Sequence, residues 1–528
     1  MTSRFDVVII GSGAGGATLA QRLASTGKSI LILERGEHLP REAENWSPRA
    51  VFIERRYRTK DHWYDKHGHP FIPNTHYWVG GNTTFYGAAL MRMRKRDFEV
   101  VQHAGGVSPA WPITLDDLAP YYAEAETLWQ VHGHRGDDPT EAGNEPPYAY
   151  PAVHHDPGVA ALKGHWEMQG WKPFSLPLGV KLDQAHPVTS TCIKCKTCGG
   201  YPCLLRAKCD ARTLAIEPIM GLPNVTLLTG RKVLRLETDA TGKTITEVVC
   251  ETAEGEERWS GDIVALAAGA APTAVILLQS ANAAHPNGLA NGSDQVGRNY
   301  MFHNSTAMVS LTAAHQTVTF PKTLAVNDFY FGDPNGGYDF PMGHIQLLEY
   351  MSGQTLEGQI EDWLPPALVP DALSGAAAER MLSMLVISED LPMPDNRVTV
   401  GPDGRVNLSY TFGNLEGHER LVKTLKASLD GFVDRAHPIS QHHFQFDSLL
   451  PLYGTAHQCG TARFGTDPAT SALDVNCKAH EVDNLYVVDT SFFCSANAIN
   501  PTLTVVANAL RIGDHLIERL GAKAPTAA

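Results

Sequence analysis

The chain opens on an apolar run, FDVVII (residues 5–10). A glycine turn GSGAGG follows, then ATLAQRLAS with apolar positions at helical spacing before Gly27, then a second apolar run inside SILILERG. Short unbroken apolar runs bounded by glycines predict strands buried on both faces, and the order predicts a βαβ unit. A second signal is GDIVALAAGAAPTAVILLQSA, where the run at residues 263–266 passes through AAG into a helix-compatible segment. A third is NLYVVDTSFF (residues 484–493), a predicted strand ending at Asp489. It precedes a segment in which Leu503, Val506, Leu510, Ile517 and Leu520 recur at helical spacing. Asn500 reads as the N-cap of that helix and Pro501 as its first residue. With strands of one sheet at both ends and in the middle of the chain, that domain is predicted to be discontinuous. Residues 302–445 instead alternate short apolar runs with turns such as DPNGG and GPDGR, the pattern of an antiparallel sheet with helices around it.

Local chemistry sharpens the first unit. Gly11, Gly13 and Gly16 follow the strand at GxGxxG spacing, and Glu34 lies 18 residues beyond Gly16. Such glycines allow a tight turn, backbone approach to a pyrophosphate and close helix packing, while the acid accepts from a ribose hydroxyl. A dinucleotide without a 2′-phosphate is therefore predicted. The 528 residues are 43% hydrophobic and 19% charged, enough for a large core, and carry a net charge of −14. The one basic run is RMRKR at residues 92–96, so nucleic acid and anionic membrane surfaces are disfavoured as partners. The longest apolar stretch, residues 263–278, is shorter than the ~20 residues of a membrane span and contains Gly269 and Pro272. No apolar leader is visible, and a cytoplasmic protein with reduced thiols is expected.

Five of the nine cysteines crowd into one segment: Cys192, Cys195, Cys198 and Cys203 at x2, x2, x4 spacing, then Cys209. Spacing alone permits zinc or an iron–sulfur cluster. Pro202 precedes the fourth cysteine rather than following it, and no second ligand cluster is apparent. The expectation is a structural loop, reduced or pinned by a disulfide, with no metal ligands assigned.

These pieces, with VGGNTTFYGAALMRMRKRDF (79–98), PAWPITLDDLAPYYAEAE (109–126), ALAAGA, DQVGRNYMFH, PDNRVTV and HQCGTARFGTDPATSALD, resemble the glucose-methanol-choline (GMC) oxidoreductases along nearly the whole chain. GGNT-x-x-YGAAL, CxxCxxCxGYPC and VNCKAHEVDNLYVVDTSFF are most similar to bacterial pyranose and glycoside oxidases. The resemblance implies an α/β protein: a Rossmann-like FAD-binding domain from residues 1–99, 185–301 and 446–528, and a substrate domain from 100–184 and 302–445, built on an antiparallel sheet flanked by helices. It implies FAD held by Gly11, Gly13, Gly16 and Glu34, with Val233 near the adenine and Ala268 and Gly269 along the phosphates. Gly80, Gly81 and Asn82 would lie by the flavin, Asp489 at the ribityl or pyrophosphate end, and Pro501 and Thr502 at the final helix start. Some members bond flavin to a histidine that Phe85 replaces here, and His76 stands before the glycines, so a non-covalent cofactor is expected.

For the reaction, the resemblance implies His457 as base and Asn500 as the group orienting the substrate oxygen. Chemistry alone agrees: imidazole suits proton transfer near neutrality, and a helix N-terminus favours negative charge on a reduced flavin. The expected substrate is a sugar or glycoside oxidised at C2 or C3 of a pyranose ring, with oxygen or another acceptor. Asn327, Tyr330, Gln346, Glu349, His442, His443 and Gln445 are candidate lining residues. Alternatives are a dehydrogenase of another alcohol that passes electrons through a cysteine-bound cluster, a thiol–disulfide flavoenzyme and a non-catalytic nucleotide-binding module. Oligomeric state does not follow from the sequence.

Overall fold

The structure is a computed structural model that describes residues 4–311, 318–352, 354–355, 381–430, 432, 445–454 and 456–523. The initial apolar run forms strand β1 (Arg4–Ile10), followed by helix α1 (Ala14–Ala24) and strand β2 (Ile30–Leu33). They open a seven-stranded sheet ordered Val225–Leu228, β2, β1, Gly255–Leu266, Ile245–Thr252, Lys232–Thr238, with Leu485–Val487 also paired to Gly255–Leu266. The strands adjoining β1 and β2 run parallel, while Lys232–Thr238 and Ile245–Thr252 form an antiparallel extension. Residues at both ends and in the middle of the chain thus meet in one sheet, with Val264 opposite both Val8 and Leu485. Val7, Val8, Ile9 and all of β2 are buried, as parallel strands covered on both faces require.

Helix α1 packs beside the last helix, Thr502–Arg519, and a Cβ added at Gly513 would lie 2.5 Å from Cγ of Arg22. That helix starts one residue later than expected, at Thr502 rather than Pro501. Pro501 occupies the N-cap with no side-chain cap, so Asn500 is not the N-cap and Pro501 not the first helical residue. Pro501 has no N–H to contribute to the helix, and its backbone already turns there.

A second, six-stranded sheet is ordered Gln445–Leu449, Asn304–Leu311, Met381–Ser388, His344–Leu347, Leu324–Val326, Phe174–Ser175, all neighbours antiparallel. Helices Pro157–Met168 and Leu415–Leu429 pack with it, and Leu162, Trp166, Leu421 and Leu425 share one buried core with Met308 and Val386. The strand Gln445–Leu449 spans the domain boundary expected at 445/446. Among the described residues no helix is long and apolar enough to cross a membrane.

Candidate active site

A cavity of about 650 Å³ runs from Glu34 and Val233, on the seven-stranded sheet, to His457, Asn500 and Gln346, beside the six-stranded one. Its nucleotide end is shaped by backbone. Gly11 has φ +103°, and a Cβ there would sit 2.4 Å from the Ala267 carbonyl oxygen; one at Gly16 would sit 2.1 Å from that of Gly11. Gly13, the N-cap of α1, faces open space, and α1 has no side-chain cap, so its first N–H groups are left for an anion. Ser12 stitches this turn to the second glycine pair: its hydroxyl accepts from Gly80 N at 3.1 Å and donates to Glu34 Oε2 at 2.6 Å. Glu34 also accepts from Ser12 N and Gly36 N, and burial pushes its carboxyl pKa up. Three chain donors leave one of roughly four acceptor positions open.

Asp489 ends the strand Leu485–Val487 by capping the short helix Thr490–Phe492. Its Oδ2 accepts from Gly269 N at 2.9 Å and Thr273 Oγ1 at 2.5 Å, and its Oδ1 from Ser491 N at 2.8 Å and the Ser491 hydroxyl. All its acceptor positions are used within the chain, so it ties Ala268–Gly269 to the last strand where both line the cavity. Gly81 approaches Gly13 so closely that a Cβ would meet its Cα at 3.2 Å. Asn82, which also lines the cavity, accepts from His76 N at 2.8 Å. His76 stacks on Phe85 with centroids 4.0 Å apart, and burial, with Arg58 adding to it, lowers the His76 pKa to about 4.

At the other end His457, partly exposed to the cavity, lies 2.9 Å from buried His303 through their Nδ1 atoms. Burial, then the neighbouring His303 and Lys322, hold the His457 pKa well below the ordinary imidazole value. Asn500 lines the same space, 8% exposed, and its Oδ1 is buried without a partner among the described residues. Pro501 and Thr502 bring the uncapped N-terminus of the final helix to the cavity wall. Lys322, also on that wall, bonds Glu349 at 2.6 Å; burial raises the Glu349 carboxyl pKa, but Lys322 outweighs it and holds the value below normal.

Of the other expected lining residues, Gln346 faces the cavity. Asn327 and Tyr330 do not: Asn327 donates to Asp138 and Tyr330 to Asp97, both inside buried networks. His442 and His443 lie outside the described residues, as does the side chain of Gln445. Ser12, His303 and Lys322 were not predicted; His303 sits in the quoted run DQVGRNYMFH, but only its contact with His457 gives it meaning. The cysteines at 192, 195, 198, 203 and 209 are unpaired thiols, and among the described residues no three metal-ligating side chains converge. Burial raises the Cys192 pKa to about 11 and that of Cys198 to about 12, away from thiolate chemistry.

Glycines without room for a Cβ, an uncapped helix start and an orphaned amide at the far end suit a long dinucleotide with its reactive ring beside His457 and Asn500. Comparisons with known proteins bear on the family. The model described as GMC oxidoreductase matches residues 416–509, and that of an NAD(P)-binding Rossmann-like domain matches residues 9–73. The chain is 30% identical to the 6'''-hydroxyparomomycin C oxidase of Streptomyces lividus over 98% of its own length and 92% of that protein. It is also 30% identical to the paromamine 6'-oxidase of Streptomyces fradiae, covering 96% and 90%. Among solved structures, pyridoxine 4-oxidase from Mesorbium loti superposes with a TM-score of 0.64 at 17% identity, covering 97% of this chain and 99% of that one.

Proposed function

The chain belongs to the GMC oxidoreductases, FAD-dependent enzymes acting on alcohols, and from that premise we propose that it oxidises a hydroxyl of a sugar or glycoside to the carbonyl, at C2 or C3 of a pyranose ring. The observation carrying the chemistry is the meeting, in one cavity, of a neutral imidazole and an amide not committed within the chain. In the proposed step His457 takes the hydroxyl proton as the C–H bond releases its hydride, while Asn500 orients the substrate oxygen. Bound FAD supplies the acceptor of that hydride. Gly11, Gly13, Gly16 and Glu34 hold its ADP half, with Val233 by the adenine. Gly80, Gly81 and Asn82 flank the ring, and Asp489 acts by ordering Ala268 and Gly269. The N-terminus of Thr502–Arg519, with Pro501 and Thr502, favours negative charge beside it. We assign residues 1–99, 185–301 and 446–528 to cofactor binding and 100–184 and 302–445 mainly to substrate. With phenylalanine at position 85, the cofactor is held without a covalent bond.

The names of the two full-length relatives support an oxygen-rich sugar, and they also mention a 6′ or 6′′′ position, so the deciding assay spans both kinds of carbinol. Flavin bleaching is followed anaerobically with monosaccharides, aryl O- and C-glycosides, paromamine, simple alcohols and sterols. Reduction by ring-hydroxyl substrates, lost about 100- to 10,000-fold in His457→Ala with FAD retained, is expected. Reduction by non-sugar alcohols alone overturns the substrate; reduction by sugars only at C6 overturns the ring position.

A further inference from the structure

His303 is 1% exposed and stands directly behind His457, at the head of the strand Asn304–Leu311. Its Nε2 lies 3.1 Å from the carbonyl oxygen of Ala496. A carbonyl only accepts, so this nitrogen carries the proton. Burial holds the His303 pKa down at about 4, against smaller upward pulls from Ala496 and Glu389, and the ring is neutral near pH 7. A neutral imidazole has one N–H, which leaves Nδ1 of His303 as a bare acceptor. Nδ1 of His457, 2.9 Å away with the rings crossed at 72°, must then be the donor. One proton on Nδ1 leaves the lone pair of neutral His457 on Nε2, which makes no hydrogen bond among the described residues.

We propose that His303 is a positioning residue that locks His457 as the Nδ1–H tautomer, so that Nε2 is the only atom able to take the alcohol proton. The inference rests on the reading of His457 as the base. The donors point inward, His457 to His303 and His303 to Ala496, and the constraint runs outward: the Ala496 carbonyl fixes the His303 tautomer, His303 fixes that of His457, and the same loop continues four residues on to Asn500. The base and the amide facing it are thus registered by one segment before substrate arrives. When Nε2 takes the proton, His457 becomes an imidazolium whose Nδ1–H still points at a neutral acceptor. Among the described residues no carboxylate touches it directly, and the Lys322 ammonium lies on its cavity side, so the cation is weakly held and the proton is readily released.

Glutamine at position 303 offers both functions of the neutral ring, an NH₂ for Ala496 and a carbonyl oxygen for His457, whereas phenylalanine keeps the volume and offers neither. In the FAD-loaded enzyme, with the best reductant from the substrate screen, His303→Phe is expected to lower the limiting rate of flavin reduction about 100-fold. That is short of the ~10⁴ seen where a wrong tautomer is enforced, because the freed ring samples both. FAD content and the half-saturating substrate concentration stay near wild type, and His303→Gln recovers to within about threefold. Wild-type rates in His303→Phe, or equal losses in both variants, overturn the proposal in favour of packing alone. His457→Ala is run in parallel: if it reduces normally the base assignment itself fails, whereas an inactive His457→Ala beside a normal His303→Phe removes only the role of His303. A readout independent of turnover is the ¹⁵N spectrum of the histidine-labelled wild-type holoenzyme. An unprotonated Nε2 on His457 supports the lock, and a protonated one overturns it.

Discussion

Replacing Asp489 by asparagine isolates what one carboxylate does for the cofactor cradle. The side chain keeps its shape, but one of its two oxygens becomes an NH₂. On Oδ2 the partners are Gly269 N and the Thr273 hydroxyl, and on Oδ1 they are Ser491 N and the Ser491 hydroxyl. Either hydroxyl can rotate and accept from the new NH₂. The backbone N–H groups cannot, so one of Gly269 N and Ser491 N loses its acceptor whichever way the amide turns. An orphaned buried donor costs about 1–3 kcal/mol, and the surviving bonds lose the strengthening a charged acceptor gives. Against this, burial already raises the Asp489 pKa, a desolvation penalty that the neutral amide avoids. The net expectation is a loss of about 2–3 kcal/mol. Gly269 has φ +96° at the head of the helix Ala270–Gln279 and lines the cavity, so this loss falls on the cradle. Felt fully by the bound state, it weakens FAD binding about 30- to 150-fold. Titrating FAD into the apoproteins by flavin fluorescence, with a denaturant series on both, measures the two effects. Wild-type affinity together with a wild-type unfolding midpoint would refute the assignment of Asp489 as the tie between the Ala268–Gly269 turn and the last strand.

Gly15→Ala places a Cβ 1.9 Å from the Val488 carbonyl oxygen, a backbone atom that cannot rotate away. Overpacking of that kind costs about 1–3 kcal/mol or more, so lower thermal stability and reduced flavin content are expected, and an unchanged melt contradicts the close helix–strand approach. The depressed His457 pKa means the base stays neutral, and competent, as pH falls below 6.5. The rate of anaerobic flavin reduction should hold its plateau at pH 5.5, where an ordinary imidazole would be only about 9% neutral; an acid limb centred at 6.5 or higher contradicts it. Acid precipitation should leave yellow supernatant and colourless protein, and flavin that stays with the pellet is evidence for a covalent link.

How far each feature could be read from the chain follows from how local its physics is. The glycine turn with Glu34, the strand at residues 263–266 and the helix after Asn500 announce themselves through apolar periodicity and backbone chemistry within a few tens of residues. The family motifs bring His457 and Asn500 forward as a pair. Sequence determines that these pieces exist, and the discontinuous sheet follows because strands so apolar need neighbours on both sides. The helix starts one position later than expected because cap preferences tolerate Asn500 and Pro501 alike as openers, and the choice is made by backbone dihedrals at the cavity wall. The four partners of Asp489 lie up to 220 residues away, Lys322 meets Glu349 only through sheet packing, and His303 meets His457 across 154 residues. No periodicity encodes such contacts. They arise when two sheets close around a cavity, and since a histidine's tautomer is set by whatever faces its other nitrogen, the identity of the basic atom is decided only by the tertiary structure.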